Sequence, residues 1–203
     1  MPTALQNINH WIFDMDGTLT VACHDFPYMR QQLGMADGDT DILAYVSRQD
    51  AATAVKMVRW LQDYGLDLAQ NAEAAQGAVA LLTHLHQQEH KLAILTRNER
   101  SLAMVTLEAI GVLDYFDEDC ILGRESCQPK PKPDGILHVL NKWQADKANA
   151  IMVGDYHFDL NAGRNAGVNT MLLHPEFNEW PHLSDYYFAD CAAVLTQLQY
   201  SAA

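Results

Sequence analysis

At 203 residues the chain is long enough for one large domain, or for a core carrying a small insertion, and shows no repeat that would make a solenoid. Its residues are 49% hydrophobic and 19% charged, the composition of a globule able to bury about 70% of its unfolded surface. Thirteen Lys and Arg against 26 Asp and Glu give a formal net charge of −13, which disfavours nucleic acid and anionic membranes as partners.

Four short apolar runs mark buried parallel strands: Trp11, Ile12 and Phe13; Leu92 to Leu95; Ile151, Met152 and Val153; and Thr170 to Leu173. Helical patterns fall between and after them. The segment 78–88 puts Ala78, Leu81, Leu82 and Leu85 on one face, 102–110 stops at Gly111, and 134–143 and 159–166 follow, the last ending at Gly167. Between the first and second runs lies a long insertion, residues 20–75. Its apolar residues keep helical spacing (Phe26, Met29, Leu33; Val55, Val58, Leu61), with Phe26 expected in its core, and no strand is evident. Structureless loops of that length are rare, so a small helical subdomain is expected. The predicted class is α/β, a doubly wound parallel sheet of residues 1–19 and 76–203 with a helical cap at 20–75.

No run approaches the ~18 apolar residues of a membrane span, and residues 1–10 lack a basic stretch leading into an apolar one, so a cytoplasmic protein is expected. Cys23, Cys120, Cys127 and Cys191 have no metal or disulfide spacing and are read as reduced thiols.

Three of the runs end in chemically capable residues. Phe13 leads into Asp14-Met15-Asp16-Gly17-Thr18, Leu95 into Thr96-Arg97-Asn98, and Val153 into Gly154-Asp155. Ligands of parallel α/β sheets bind at the carboxyl ends of the strands, so these segments should share one pocket. A fourth segment, Gln128-Pro129-Lys130-Pro131-Lys132-Pro133-Asp134, is stiffened by its prolines and can hold a lysine in place.

In type and order, Asp14-Met15-Asp16-Gly17-Thr18, Thr96, Lys130 in its Lys-Pro-x-Pro-Asp setting, and Gly154-Asp155 with Asp159 resemble the four signature motifs of the haloacid dehalogenase-like hydrolases. The chain is similar to the branch with a helical cap inserted after the first motif, which includes phosphoglycolate phosphatase-like enzymes. That resemblance implies a Rossmann-like core and a Mg²⁺-dependent hydrolase of small phosphorylated metabolites. Asp14 would be the nucleophile, forming an aspartyl phosphate, and Asp16 the general acid and base. Asp14, the Asp16 backbone carbonyl and Asp155 would hold Mg²⁺. Gly17 would shape the turn beside the phosphate and Thr18 bond within it. Thr96 would donate to a phosphoryl oxygen, Lys130 would neutralise charge, and Asp159 would be either an outer partner of the metal or an orienter of Lys130. Lys132 competes with Lys130, but the motif register favours Lys130. Arg97 is a candidate substrate ligand, as is Arg124, each also fitting a solvated charge. The first motif continues as Thr20-Val21-Ala22, a departure from those relatives, and at the cap entrance His24 or Asp25 is a candidate to face the substrate tail.

Competing functions share parts of this pattern. A dehalogenase is disfavoured by Asp16 followed by Gly17, and a phosphonate-cleaving relative would need Lys56, the one lysine of the insertion. A phosphomutase would differ only in the phosphoryl acceptor. A phospho-accepting signalling domain, or a binding descendant without turnover, uses similar residues on a similar sheet. Two further patterns are set aside. His86-Gln87-Gln88-Glu89-His90 resembles an inverted zinc-protease motif but has no protease scaffold around it, and the histidines are expected at the surface. Asp37-Gly38-Asp39-Thr40-Asp41 opens like a calcium loop, yet Ile42 and Arg48 occupy the positions where Gly and Glu are needed.

Overall fold

The computed structural model describes residues 4–36 and 38–201; the ends of the expected core, residues 1–3 and 202–203, and Asp37 of the acidic segment lie outside the described residues. Six strands, β1 (His10–Phe13), β2 (Lys91–Leu95), β3 (Ile121–Leu122), β4 (Ala150–Gly154), β5 (Asn169–Leu173) and β6 (Tyr186–Phe188), form one sheet in the order β3-β2-β1-β4-β5-β6. Every neighbouring pair is parallel. Side chains alternate along a strand, so each strand feeds two layers. Trp11 and Phe13 pack with Ile94 and Val153 in one layer, Ile12 with Ala93 and Met152 in the other.

Eight helices accompany the sheet among the described residues: α1 (Phe26–Gln32), α2 (Ile42–Ser47), α3 (Ala51–Gln70), α4 (Ala78–Gln87), α5 (Arg100–Ala109), α6 (Asp134–Trp143), α7 (His157–Ala166) and α8 (Cys191–Ser201). Helices α4, α5 and α8 cover one face of the sheet through Leu81, Leu82, Leu85, Ala103, Leu107 and Val194. Helices α6 and α7 cover the other through Ile136, Val139, Leu140, Ala162 and Ala166. The fold is therefore a doubly wound, Rossmann-like α/β sheet, and its strand order reverses between β1 and β4. The crevice at the carboxyl ends of those two strands is where such sheets bind ligands.

Helices α1, α2 and α3 stand between β1 and α4 and bury a small cluster of their own, Met29, Leu33, Val46 and Leu61. Each is opened by an aspartate whose carboxylate accepts an otherwise unpaired backbone N–H: Asp25 from Tyr28 (2.9 Å), Asp41 from Ala44 (3.1 Å) and Asp50 from Ala52 (3.0 Å). The chain enters and leaves this helical segment side by side, with Val21 N–H on the Glu73 carbonyl and Ala75 N–H on the Leu19 carbonyl, both at 2.9 Å. Two local expectations are corrected. Phe26 is 51% exposed and stacks on His24, because the buried stripe of α1 begins one turn later at Met29; Val55 is also exposed. His90 is half-buried and accepts a hydrogen bond from Trp11 Nε1 at 2.9 Å, whereas His86 is exposed. Among the described residues no helix is long and apolar enough to cross a membrane.

Candidate active site

The turn after β1 is held to β4 at its first residue, where Asp14 N–H donates to the Val153 carbonyl at 2.9 Å. It then closes around one acceptor: the Met15 carbonyl receives N–H groups from Thr18, Leu19 and Thr20 at 3.2, 2.9 and 3.1 Å, with the Met15 side chain fully buried beneath. Gly17 adopts φ +86° in this turn, and a Cβ there would stand 2.4 Å from Asp155 Oδ2. Only glycine lets the turn and the end of β4 approach so closely. Gly17 N–H is used by the Thr20 carbonyl (3.1 Å), and Thr18 Oγ1 donates to Asp155 Oδ1 at 3.3 Å. The part these two residues play in the fold is thus to hold Asp155 against the turn.

Lys130 enters from the proline-rich segment before α6. Its ammonium is 2.6 Å from Asp14 Oδ1 and 2.6 Å from Asp159 Oδ1, and its side chain is 2% exposed. Asp159, in the first turn of α7, also accepts the Tyr156 N–H at 3.1 Å, so both its oxygens are occupied. Gly154 makes this possible, since a Cβ at that position would lie 2.3 Å from the Asp159 carboxyl. Oxygens of Asp14, Asp155 and Asp159 all lie within 4.8 Å of one another.

Crowding these acids away from water has the expected electrostatic result. Burial, reinforced by the charges of Asp14 and Asp159, pushes Asp155 up to about 8. Burial raises Asp159 to about 6 although Lys130 opposes it. Asp16 is raised too, again by burial first, with His24 pulling the other way and Asp14 adding to the rise. Burial alone would lower Lys130, but the Asp14 and Asp159 carboxylates outweigh it and hold the ammonium protonated.

The remaining sequence candidates separate in space. Thr96, 3% exposed at the end of β2, accepts the Asn98 N–H on its hydroxyl at 3.0 Å and keeps its own proton to donate. Arg97 donates from Nη2 to Asp41 at 2.7 Å and lies over the Phe158 ring, 4.3 Å from its centroid. Arg124 is committed to Glu99 at 2.5 Å. His24 Nδ1 is 3.8 Å from Asp16 Oδ1, whereas Asp25 faces its own helix as the cap of α1. Lys132 and Lys56 are exposed. In the acidic segment, Asp39 pairs with Arg48 at 2.6 Å and Asp41 caps α2, so neither carboxylate is set toward a calcium ion. All four cysteines are free thiols. Sequence reasoning missed one partner here. Asp41 meets Arg97 across 56 positions of sequence, and the sequence offered it only as part of the acidic segment that opens like a calcium loop.

A family model described as haloacid dehalogenase-like hydrolase matches residues 29–173, which takes in Thr96, Lys130, Asp155 and Asp159. The chain belongs to that family. This haloacid dehalogenase-like hydrolase is 27% identical to an uncharacterized hydrolase of Saccharomyces cerevisiae over 96% of this chain and 93% of the relative. It is 26% identical to a phosphoglycolate phosphatase of Rhodospirillum rubrum, covering 84% and 81% of the two chains. Its fold superposes on the crystal structure of CbbY from Rhodobacter sphaeroides in complex with phosphate with a TM-score of 0.73, at 18% identity and with 95% and 99% of the chains covered. Membership makes the protein an enzyme, a hydrolase with phosphatases among its relatives.

Proposed function

We propose that this chain is a Mg²⁺-dependent phosphatase of small phosphomonoesters that works through an aspartyl phosphate on Asp14. One observation carries the reading: at the strand-order reversal, a single buried ammonium spans Asp14 and Asp159 while Asp155 stands within the same 4.8 Å cluster. The donor set suits the metal. It is made wholly of hard oxygens, which Mg²⁺ prefers, and a divalent cation would offset both the burial that chiefly raises Asp155 and the charges of Asp14 and Asp159 that add to it. Asp159 has both oxygens engaged, so Asp14, Asp155 and the Asp16 backbone carbonyl are the proposed ligands. When bound, Mg²⁺ would offset negative charge on the phosphoryl oxygens.

The residues then divide the work. Lys130 holds Asp14 by Oδ1 and leaves Oδ2 to attack phosphorus; the bond to the ester oxygen breaks, and that oxygen departs with a proton from Asp16. A carboxyl raised by burial keeps its proton closer to neutral pH, which suits that donor. In the second half Asp16 takes a proton from water, the water oxygen bonds to phosphorus, and Asp14 is released as carboxylate with inorganic phosphate. Thr96 donates its hydroxyl to a phosphoryl oxygen, and Asp159 keeps Lys130 in place. The inserted helices act as a cap that limits water at the acyl phosphate. The test is phosphate release from a panel of small phosphomonoesters. Release should require Mg²⁺, stop with a chelator, and be absent in Asp14→Asn; turnover by that variant, or indifference to chelation, would overturn the proposal.

A further inference from the structure

Arg97 is placed unlike any other cation of this chain. It follows Thr96 at the end of β2, while its guanidinium rests on Phe158, in the first turn of α7 beyond β4. Strand β1 lies between β2 and β4, so the side chain crosses above the carboxyl end of β1, where Asp14 and Asp16 stand. Asp41 reaches the same guanidinium from the inserted helices, at 2.7 Å through Nη2. Asp41 and Phe158 thus hold the guanidinium at the same end of the sheet as Asp14 and Asp16.

One of its donors is unspent. Arg97 Nη1 is buried and has no hydrogen-bond partner. Arginine cannot shed its proton, and a buried donor left unmade is costly, so this atom marks a place where an acceptor belongs. The neighbouring cations are spoken for: Lys130 by Asp14 and Asp159, Arg124 by Glu99, and Arg100 by Glu118 and the Ile121 carbonyl. A planar guanidinium fork over an aromatic ring suits a carboxylate or phosphate far better than a neutral group. Resting on the phosphatase reading above, we propose that Arg97 is the specificity-determining residue, selecting substrates that carry a second anionic group, a carboxylate or a second phosphate, beyond the phosphoryl group being hydrolysed. The second anion meets Nη1 while Asp41 keeps Nη2.

The experiment compares three phosphoesters of one short carbon chain, ending in a carboxylate, a second phosphate, or the neutral amide. Wild type should favour one or both charged esters over the amide by about 10- to 100-fold in kcat/KM, and Arg97→Ala should erase that preference while changing the amide by less than about threefold. Arg97→Lys should restore part of it, chiefly through KM, and Asp41→Asn should leave it in place. Which charged ester gains more identifies the second anion. Absence of a preference in wild type, equal proportional losses on all three esters in Arg97→Ala, or loss of the preference in Asp41→Asn would overturn the proposal and reduce Arg97 to a strut. Titrating the same three compounds into Asp14→Asn and into its Arg97→Ala double variant separates the two readings. Tighter binding of the charged compounds that vanishes with Arg97 upholds the specificity role even if wild type hydrolyses nothing, in which case only the phosphatase reading falls.

Discussion

Asp14 sits where three constraints meet: the backbone bond to Val153, the ammonium of Lys130 and the nearby carboxylates of Asp155 and Asp159. Removing the ammonium should expose the cost of that arrangement. Lys130→Met leaves buried acids facing one another without a cation, and breaking a buried pair in this way costs about 3–5 kcal/mol. Denaturant unfolding should report a loss of that size together with loss of phosphate release; a variant as stable as wild type would show that the pairing does not support the fold. Gly17→Ala acts on geometry alone. The new methyl would enter Asp155 in a backbone conformation that costs alanine about 1–2 kcal/mol, and displacing a proposed metal ligand by about 1 Å can cost about 100-fold in rate. Steady-state kinetics with a melting curve would check both effects, and unaltered kinetics would show that Asp155 need not be held against the turn. Several of these residues were legible from residue type and order, because short segments at strand ends carry them. Arg97 was legible as a candidate, but its partners Asp41 and Phe158 were not. Those contacts join distant positions, and no local pattern encodes them.

At the level of elements, strands that are apolar on both faces and helices with a clear apolar stripe were readable to within a residue or two; α6 runs Asp134–Trp143, the range its periodicity marks. Three elements of the sheet and its covering helices were not readable. Strand β3 is two residues long, β6 exposes Tyr187 and has only partly buried flanks, and α8 lacks Lys, Arg, Asp and Glu to set off its apolar side. Packing, not local pattern, makes them regular. Helix α4 illustrates the reverse case. Leu81 is fully buried against the sheet, so Leu81→Ala should cost about 2–5 kcal/mol in denaturant unfolding, and a loss below 1 kcal/mol would contradict the packing described. The contact between β1 and the start of β2 adds a pH dependence. Burial holds the pKa of His90 below its ordinary value, and its Nδ1 must stay unprotonated to accept from Trp11. The unfolded chain therefore binds the proton more readily. The stability contributed by neutral His90 is complete above the unfolded value of about 6.5 and declines as pH falls below it. His90→Gln should flatten that part of the stability profile; an identical profile would assign the dependence elsewhere, for example to His10, which burial lowers in the same way.

For the molecule as a whole, the net charge of −13 poses a problem that the fold resolves locally. On the proposed reading, an anionic substrate would approach an acidic protein whose crevice itself holds Asp14, Asp16, Asp155 and Asp159, and the buried lysine with a divalent metal would offset the local negative field. The inserted helices take part in that field through Asp41 on Arg97, and they are tied to the core again where Gln62 of α3 donates to the Glu99 carboxylate at 2.8 and 2.9 Å. The central claim is that Asp14 receives the phosphoryl group, and it can be read directly. The enzyme is quenched in acid during turnover of a hydrolysed phosphoester with Mg²⁺ present, digested, and the peptide spanning residues 14–18 is weighed. The account predicts a phosphoryl group on Asp14, absent when chelator replaces the metal. A phosphoryl group on another residue, or an unmodified peptide under conditions where the intermediate accumulates, would contradict it.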